Sequence, residues 1–361
     1  MQTAAPQDST PATAGSCHPR GTVREPAGQP VEPRLRSPVI RPVGTTDISP
    51  ITLCESHARM NQDPRATARS PAARAAMAAL LAVTALALVG AGPATADVVE
   101  VNLVAKPAKV TIAPKVKMRA WTFNGKVPAP VIRATEGDTI EVTLRNSEKM
   151  AHSVDFHAAE ISPQVGFKDV LPGKTHEFSF VARRPGVFLY HCGTSPVLQH
   201  IGMGMYGAII IDPASGRPPA KEKVLVQSEF YGPVRDRMIK PSYKAMQTKD
   251  PTYTAFNGRA YRYRDNPINV EVGQPLRLYV VAAGPTLGSD FHVVGDIFDT
   301  VQPDGNPFNV MHGVSTYGVP AGGGAMFELT LDEAGSYPFV THSFRWADAG
   351  ALGLLQASGP E

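Results

Sequence analysis

The sequence predicts an all-β protein built from two tandem β-sandwich domains. Short segments of alternating apolar and polar residues are frequent and are bounded by glycine and proline, whereas segments with helical periodicity are scarce. The 361 residues are enough for two domains that each have a core of their own. Segments of the first half also recur in the second half, as described below. Together these features favour two copies of one sandwich.

Residues 1–74 differ in composition from the rest of the chain. They are rich in proline, alanine, arginine, serine and threonine and contain few large apolar side chains. Such a segment cannot bury a core, so we predict a disordered leader. The alternative is that translation starts later, at Met60 or Met77, and that the residues before it are a wrongly assigned start.

Residues 75–96 are predicted to form a secretory signal peptide. Arg65, Arg69 and Arg74 precede a run of apolar residues, and Ala94-Thr-Ala96 supplies small side chains at the expected cleavage positions. We therefore expect an exported protein, in the periplasm or otherwise outside the cytoplasmic membrane. An uncleaved N-terminal membrane anchor is the alternative interpretation of the same run.

Charge and cysteine content change once this leader is removed. Residues 1–96 contain 9 of the 35 Lys+Arg and 6 of the 32 Asp+Glu, which leaves 26 of each kind in the remainder. A chain of balanced charge gives no indication of nucleic-acid binding. Cys17 and Cys54 belong to the leader, so Cys192 has no partner for an internal disulfide. Metal ligation is one explanation for a single thiol in an exported protein.

Residues 97–213 form the first predicted domain. Alternation and turn residues indicate strands over 98–104, 121–132, 139–145, 175–180, 188–190 and 208–211, with a proline-containing turn inside the second of these. Residues 214–223 are rich in proline and lysine and are predicted to be a linker. Residues 224–361 form the second domain, with strands over 224–227, 268–272 and 276–281 and a short helix over 243–248.

An internal repeat relates the two domains. Residues 136–144 resemble residues 272–280, and Pro185-Gly-Val-Phe-Leu-Tyr-His191-Cys192 resembles Ala334-Gly-Ser-Tyr-Pro-Phe-Val-Thr-His342-Ser343. Both copies place a histidine at the end of the matching strand. Because the second copy has Ser343 in the place of Cys192, only the first copy can bind a metal through a thiolate.

Cys192, His200 and Met205 carry the strongest functional signal in the sequence. Two imidazoles, one thiolate and a weak axial thioether form a blue-copper electron-transfer site. His152, on an earlier strand, is the natural second imidazole, and Met203 is the competing axial ligand. The alternative is that Cys192 is only a small buried apolar residue, but this leaves His200 and the neighbouring Gly-Met-Gly-Met205 sequence unexplained.

Further histidines indicate a second site. His191 and Cys192 are adjacent, so their side chains point to opposite faces of the strand and can bind two different metals joined by a few covalent bonds. His157 lies an odd number of residues from His152, which places it on the His191 side. Asp155 shares the face of His157 and can relay a proton, although a turn-capping carboxylate is the alternative. His292 and His342, from the second domain, are candidates for the same site.

The chain from about residue 98 to 358 resembles the two-domain copper-containing nitrite reductases. The resemblance rests on five segments: His152-Ser-Val-Asp155-Phe-His157-Ala-Ala, Tyr190-His191-Cys192, His200-Ile-Gly-Met-Gly-Met205-Tyr-Gly, Phe291-His292-Val-Val-Gly and Thr341-His342-Ser. It implies two Greek-key cupredoxin domains in each chain. It also implies two copper ions per chain: type 1 copper on His152, Cys192, His200 and Met205, and type 2 copper on His157, His191 and His342.

The same resemblance implies the reaction and its partners. His342 would come from a neighbouring subunit of a homotrimer, and Asp155 and His292 would be the catalytic pair. The enzyme would reduce nitrite to nitric oxide with electrons from a small redox protein, of the cupredoxin or cytochrome c type, passing through type 1 and then type 2 copper.

Two other functions compete with this one. A two-domain laccase-like multicopper oxidase needs paired histidines around a trinuclear copper cluster, but the chain has no His-X-His and Gly193 follows Cys192. A copper electron carrier without a catalytic copper would not need His157, His191, His292 and His342. Copper content and nitrite turnover separate the three hypotheses.

Overall fold

Residues 96–359, which a computed structural model describes, form strands over most of their length. The predicted leader and the predicted signal peptide, apart from Ala96, lie outside the described residues, as do Cys17, Cys54 and both alternative start methionines. Within residues 96–359 no helix has the length and apolar character needed to cross a membrane.

Residues 98–212, which supply most of the first sandwich, contain eight strands and two short helices. The strands are β1 (Val98–Ala113), β2 (Val116–Phe123), β3 (Ile132–Thr135), β4 (Thr139–Asn146), β5 (Asp155–Phe156), β6 (Thr175–Val181), β7 (Gly186–His191) and β8 (Tyr206–Asp212). The helices are α1 (Pro163–Gly166), before β6, and α2 (Val197–Gly202), between β7 and β8.

The rest of the described chain contains thirteen strands and three short helices. The strands are β9 (Lys221–Phe230), β10 (Val234–Arg235), β11 (Met238–Ile239), β12 (Tyr253–Phe256), β13 (Asn266–Glu271), β14 (Pro275–Gly284), β15 (Ser289–Val293), β16 (Phe298–Pro303), β17 (Met311–Val314), β18 (Thr316–Val319), β19 (Gly324–Thr330), β20 (Gly335–Thr341) and β21 (Leu352–Ser358). The helices are α3 (Tyr243–Gln247), α4 (Arg262–Asp265) and α5 (Phe344–Asp348).

These strands form four sheets. Sheet 1 has the order β10-β11-β2-β1-β4-β6, and sheet 2 has the order β3-β8-β7-β5. Sheet 3 has the order β12-β9-β14-β19-β16-β17, and sheet 4 has the order β13-β21-β20-β15-β18. Sheets 1 and 2 form the first sandwich and sheets 3 and 4 the second, which confirms the predicted all-β fold. The hairpin β10-β11 follows β9 in the chain but joins the edge of sheet 1.

Buried apolar side chains join the sheets in pairs. One cluster contains residues of sheets 1 and 2, such as Leu103 and Tyr190, and another contains residues of sheets 3 and 4, such as Leu278 and Phe339. A third cluster joins sheet 2 to sheet 3 through β7, β8, β9, β14 and β19. Sheet 2 is therefore covered on both faces, which explains why β7 and β8 are apolar almost throughout and do not alternate.

Strand β7 distributes its side chains between two of these clusters. Phe188 and Tyr190 pack into the core of the first sandwich, whereas Val187 and Leu189 pack against the second sandwich. Successive side chains of a strand point to opposite faces. The same alternation directs Cys192 into the core of the first sandwich and His191 toward the side where the two sandwiches meet.

Some element boundaries differ from those predicted. Strand β1 continues to Ala113 because it changes partner near Ala105, pairing in parallel with β4 before that residue and antiparallel with β2 after it. Strand β9 begins at Lys221, so the last three residues of the predicted linker are part of a strand. Residues 152–157 are not one continuous strand, because only the two residues of β5 and an isolated bridge at His152 are paired.

Candidate metal centres

The first cluster of possible ligands joins three buried side chains of the first sandwich. His152, Cys192 and His200 each offer one ligand atom, and these atoms lie within 4.8 Å of one another. The Cys192 Sγ is 3.8 Å from the His152 Nδ1. Cys192 directly follows β7, His200 lies on α2, and His152 is held by a bridge to Val170. Three separate parts of the chain therefore supply the three ligands.

Met205 lies beside this cluster, and Met203 does not. The Cys192 N–H donates to the Met205 carbonyl at 3.0 Å, and the Met205 N–H donates to the His200 carbonyl at 3.2 Å. Met205 is fully buried in the same apolar cluster as Cys192. Met203 packs in a different cluster, with Met118 and Phe230 among its members. Of the two predicted candidates for the axial position, Met205 is the one that packs in the core with the thiol.

The polar atoms of the cluster fit a bound copper ion. The Nε2 atoms of His152 and His200 are buried and have no hydrogen-bond partner among the described residues. Burial, together with the charge of His200, lowers the pKa of His152 to about 4. Burial raises the pKa of the Cys192 thiol. Two imidazoles whose Nε2 atoms have no partner among the described residues, and a thiol that needs a cation to become a thiolate, are a donor set suited to copper.

Three further residues that the sequence did not single out support this cluster. The Ser153 N–H points at the Cys192 Sγ at 3.4 Å, and the Thr194 hydroxyl is 3.1 Å from the Ser153 hydroxyl. The ring of Trp121 lies 5.0 Å from the ring of His200, measured between centroids. Hydrogen bonds to a sulfur ligand tune a metal site. Ser153 and Thr194 could have been noticed from their position beside the ligands, but nothing in the sequence identifies Trp121.

The second cluster contains Asp155, His157 and His191. Their ligand atoms also lie within 4.8 Å of one another. The Nε2 atoms of His157 and His191 are 3.1 Å apart, and Asp155 Oδ2 is 3.9 Å from the Nε2 of His191. Asp155 and His157 are partly or fully exposed, and His191 is half-buried. The structure thus places close together three residues that the sequence assigns to one face, although only Asp155 lies on the two-residue strand β5 and His191 is the last residue of β7.

The geometry of His191 leaves one of its nitrogens free for a metal. Its Nδ1 lies 3.0 Å from the carbonyl oxygen of Cys192 and can donate to it. This hydrogen bond fixes the tautomer in which Nε2 carries a lone pair, which is the usual arrangement for a metal-binding histidine. Burial and the neighbouring His157 lower the pKa of His191, so its ring is neutral near pH 7. A cation between the facing Nε2 atoms of His157 and His191 would relieve the approach of two lone pairs.

The second cluster lies where the two sandwiches meet. The His157 N–H donates to the Leu189 carbonyl on β7 at 3.0 Å. A side chain at Gly322, in the turn between β18 and β19, would come within 3.4 Å of the His157 ring. The two clusters are separated by the peptide bond between His191 and Cys192, so a short covalent path connects them.

His292 and His342 form a separate pair in the second sandwich. Their ring centroids are 5.5 Å apart, and the His292 Nδ1 lies 2.6 Å from the Ser315 carbonyl. Two groups of three possible metal ligands occur within residues 96–359 of a single chain, and neither group includes His292 or His342. Their predicted meeting with His157 and His191 requires a neighbouring chain and stays a prediction.

The residue after the cysteine is restricted by packing. A Cβ atom at Gly193 would lie only 1.9 Å from the ring of Phe167. No side chain fits there unless Phe167 moves. A histidine at this position, as the laccase hypothesis needs in its His-Cys-His sequence, would require the Phe167 ring to move.

Comparisons with known proteins show similarity to copper-containing enzymes. A sequence model of the multicopper oxidase family matches residues 105–216. A curated copper-containing nitrite reductase from Neisseria meningitidis serogroup B is 41% identical over 263 residues, which cover 70% of this chain and 67% of that protein. A curated copper-containing nitrite reductase from Alcaligenes faecalis is 30% identical over 291 residues, covering 73% of this chain and 76% of that protein.

A solved structure shares the fold. The copper nitrite reductase from Nitrosomonas europaea superimposes with a TM-score of 0.68 at 39% sequence identity, covering 72% of this chain and 94% of that chain. The two sandwiches of this chain thus correspond to nearly the whole of that protein.

Proposed function

Because this chain belongs to the copper-containing nitrite reductase family, we propose that it reduces nitrite to nitric oxide and water, using one electron and two protons. The observation that carries the proposal is the pair of donor clusters at the end of β7. One is a buried set of nitrogen and sulfur donors suited to electron transfer. The other is a more open set of nitrogen donors beside a carboxylate.

The side chains divide between the two clusters. In this proposal His152, Cys192, His200 and Met205 hold type 1 copper, and His157 and His191 hold type 2 copper together with His342 of the neighbouring chain. Copper, when bound, transfers single electrons at the first cluster and acts as a Lewis acid and redox centre toward nitrite at the second. The peptide bond between His191 and Cys192 supplies the connection from one to the other.

Asp155 and His292 are proposed to manage the protons. A carboxylate oxygen of Asp155 lies within 4.8 Å of the ligand nitrogens of His157 and His191, so it can hydrogen-bond a bound oxyanion and give it a proton. The Nδ1 of His292 is occupied by the Ser315 carbonyl, which leaves Nε2 to carry and release a proton. Two protons on one nitrite oxygen allow it to leave as water when the N–O bond breaks.

The partners follow from the same proposal. Nitrite is the substrate, and the electron comes from a small redox protein of the cupredoxin or cytochrome c type. We propose that the chain is exported, acts outside the cytoplasmic membrane, and assembles into a homotrimer that completes each type 2 site.

A laccase-like oxidase is the second candidate function, because the matching family model is that of the multicopper oxidases. A trinuclear cluster would need His-X-His pairs and a histidine after the cysteine, whereas this sequence contains no His-X-His and has Gly193 after Cys192. The ring of Phe167 also occupies the space that a side chain at position 193 would need. A plain electron carrier would leave the pairing of His157 with His191 without a purpose.

The test is to measure copper content and reductive turnover together. We expect about two copper ions per chain and nitric oxide release from nitrite with a reduced dye as donor. Asp155→Asn and His292→Ala should each lower turnover by about 10²–10⁴-fold, the usual contribution of general acid–base catalysis, with both coppers retained. His312→Ala changes an exposed histidine outside both clusters and is the matched control.

A protein with two coppers that consumes oxygen but not nitrite would reject the proposed reaction. Full nitrite turnover in both the Asp155→Asn and the His292→Ala variant would reject the proton-transfer roles given to these two residues.

A further inference from the structure

We propose that Asp290 is a positioning residue that fixes His342 relative to His292. The inference rests on the proposed function in one respect, namely that His342 binds the second copper. Asp290 and His292 are two residues apart on β15 and so share one face of that strand. Phe291 and Val293, on the other face, are buried in the core of the second sandwich. The face that carries Asp290 and His292 is thus the one turned away from that core.

Asp290 contacts three consecutive residues around His342. Its N–H donates to the Thr341 hydroxyl at 3.2 Å, and its carbonyl accepts from the His342 N–H at 2.7 Å. Its carboxylate Oδ2 accepts from the Ser343 hydroxyl at 2.7 Å. The residue before His342, His342 itself and the residue after it are therefore all held by the same amino acid.

These contacts are needed because regular pairing ends here. The ladder between β15 and β20 pairs Phe291 with Thr341, and β20 ends at Thr341. His342 lies one residue beyond the last strand residue. The bond from Ser343 to the Asp290 carboxylate is the contact that extends the connection past His342.

The ring of His342 lacks the support that the other histidines have. His191 is fixed through the Cys192 carbonyl, and His292 through the Ser315 carbonyl. Within residues 96–359, no hydrogen bond reaches the His342 ring, whose contacts are with the rings of His292 and Phe344. Its direction therefore depends on these two ring contacts and on its backbone, which Asp290 holds on both sides.

The Asp290 carboxylate is free for this task. None of the ion pairs among the described residues includes it, whereas Ser343 donates to it. On the neighbouring strand β18, Gly318 lies opposite Asp290. A Cβ added at Gly318 would be 3.6 Å from the Asp290 Oδ1, which is an ordinary contact distance. The exposed carboxylate thus has the Ser343 hydroxyl as its hydrogen-bond donor among the described residues.

The experiment compares copper retention in variants of the full copper-loaded protein. The chelator concentration that removes the second copper is measured for wild type, Asp290→Ala and Ser343→Ala, with the visible absorbance of the first copper as the internal control. Loss of a residue that orients a metal ligand typically costs about 10–100-fold in metal affinity. We expect both variants to bind the second copper more weakly by that order and to keep the colour of the first.

Two further variants distinguish positioning from a general effect. Asp290→Asn keeps an oxygen that accepts from the Ser343 hydroxyl, so this variant should retain most of the affinity for the second copper. The double variant Asp290→Ala/Ser343→Ala should lose no more affinity for the second copper than Asp290→Ala alone. The reason is that both single changes remove the same hydrogen bond. Asp299→Ala removes an exposed carboxylate from the same sandwich and is the matched control.

The outcomes separate this inference from the proposed function. Equal retention of the second copper in Asp290→Ala and Asp299→Ala would overturn it, as would a wild type that binds only one copper per chain. A wild type with two coppers and no nitrite turnover would reject the proposed function, and the chelator titration would still decide the role of Asp290.

Discussion

At the scale of single residues, burial determines what the first cluster can bind. Cys192 and His152 are both fully buried, and burial shifts each of them toward its neutral form, raising the pKa of the thiol and lowering that of the imidazole. A neutral thiol is a poor ligand, so the cluster depends on a metal to remove the proton. The Ser153 N–H, directed at the sulfur, then stabilises the thiolate.

Cys192→Ala is expected to abolish the visible colour of the copper-loaded protein. The absorbance comes from charge transfer between thiolate and copper, and Cys192 is the only cysteine among the described residues. Absorption spectra after copper loading provide the measurement, and Ser153→Ala, which leaves the thiol in place, is the control that should remain coloured. A blue or green Cys192→Ala protein would remove the thiolate from the site.

Met205→Leu is expected to keep a coloured site and to raise its reduction potential. A weak axial thioether tunes a blue-copper centre and is not needed to build it. Met203→Leu is the matched control, because Met203 packs with a different apolar cluster. Redox titration of both variants is the measurement. A shift in Met203→Leu without one in Met205→Leu would mean that the wrong methionine was assigned.

At the scale of elements, strand β9 fixes the loop that leads into the strand of His292. The buried carboxylate of Glu229 accepts from the Thr286 N–H at 2.9 Å and from the Tyr231 hydroxyl. Nearby on β9, the Gln227 amide donates to the Gly288 carbonyl at 2.8 Å. The turn between β14 and β15 is thus attached to β9 by side chains, not by a strand ladder.

Glu229→Gln is expected to make the copper-free protein more stable than wild type at alkaline pH. Burial raises the pKa of Glu229 to about 7, from about 4.5 in the unfolded chain. The folded state then binds the proton more tightly, so wild-type stability falls as the pH rises through this window, by up to about 3 kcal/mol. A glutamine side chain does not titrate. The difference in unfolding free energy between Glu229→Gln and wild type should therefore grow between pH 5 and 8.

Urea unfolding at several pH values measures this effect. Glu271→Gln removes the same charge from an exposed position and should follow the wild-type curve. If the difference in unfolding free energy between Glu229→Gln and wild type stayed constant across the window, Glu229 would titrate normally in the folded protein.

At the scale of the whole molecule, the two sandwiches are joined by an apolar layer and by ion pairs. Sheets 2 and 3 share a buried apolar cluster. At its edge, the almost fully buried Arg277 binds Glu222 at 2.9 Å, and Glu222 also binds Arg133 of the first sandwich at 2.6 Å. The His157 and His191 pair therefore lies at this junction, while His292 and His342 form a separate pair in the same chain.

We expect a homotrimer whose second copper site is shared between chains. His157→Ala and His342→Ala should each abolish nitrite turnover as homo-oligomers, because each lacks one ligand. Co-expression of the two variants should recover part of the activity, since a mixed trimer contains interfaces with a complete ligand set. Light scattering gives the oligomeric state, and copper analysis gives the content of the second site.

The mixing experiment has a clear contrary outcome. If all ligands came from one chain, no mixture of the two variants would regain activity. A copper-replete and active monomer would lead to the same conclusion, because metal content and assembly would then be independent.

The sequence by itself was enough to predict the fold class and which side chains of one chain lie close together in each cluster. Alternation along β7 separates His191 from Cys192 regardless of context, because neighbouring side chains of a strand point to opposite faces. Cys192, His200 and Met205 are close in the chain, so one loop can return the last two to the end of β7. The ligand chemistry of these three side chains is enough to suggest a shared site. The internal repeat likewise identified His342 as the counterpart of His191.

Tertiary structure alone decided which groups surround those ligands. Trp121, Phe167 and Asp290 are far in sequence from the residues they contact, and no local pattern identifies them. The choice between Met203 and Met205 also depended on which apolar cluster each side chain joins. Long-range packing fixes these contacts, because burial and hydrogen bonding depend on segments that the chain brings together only when it folds.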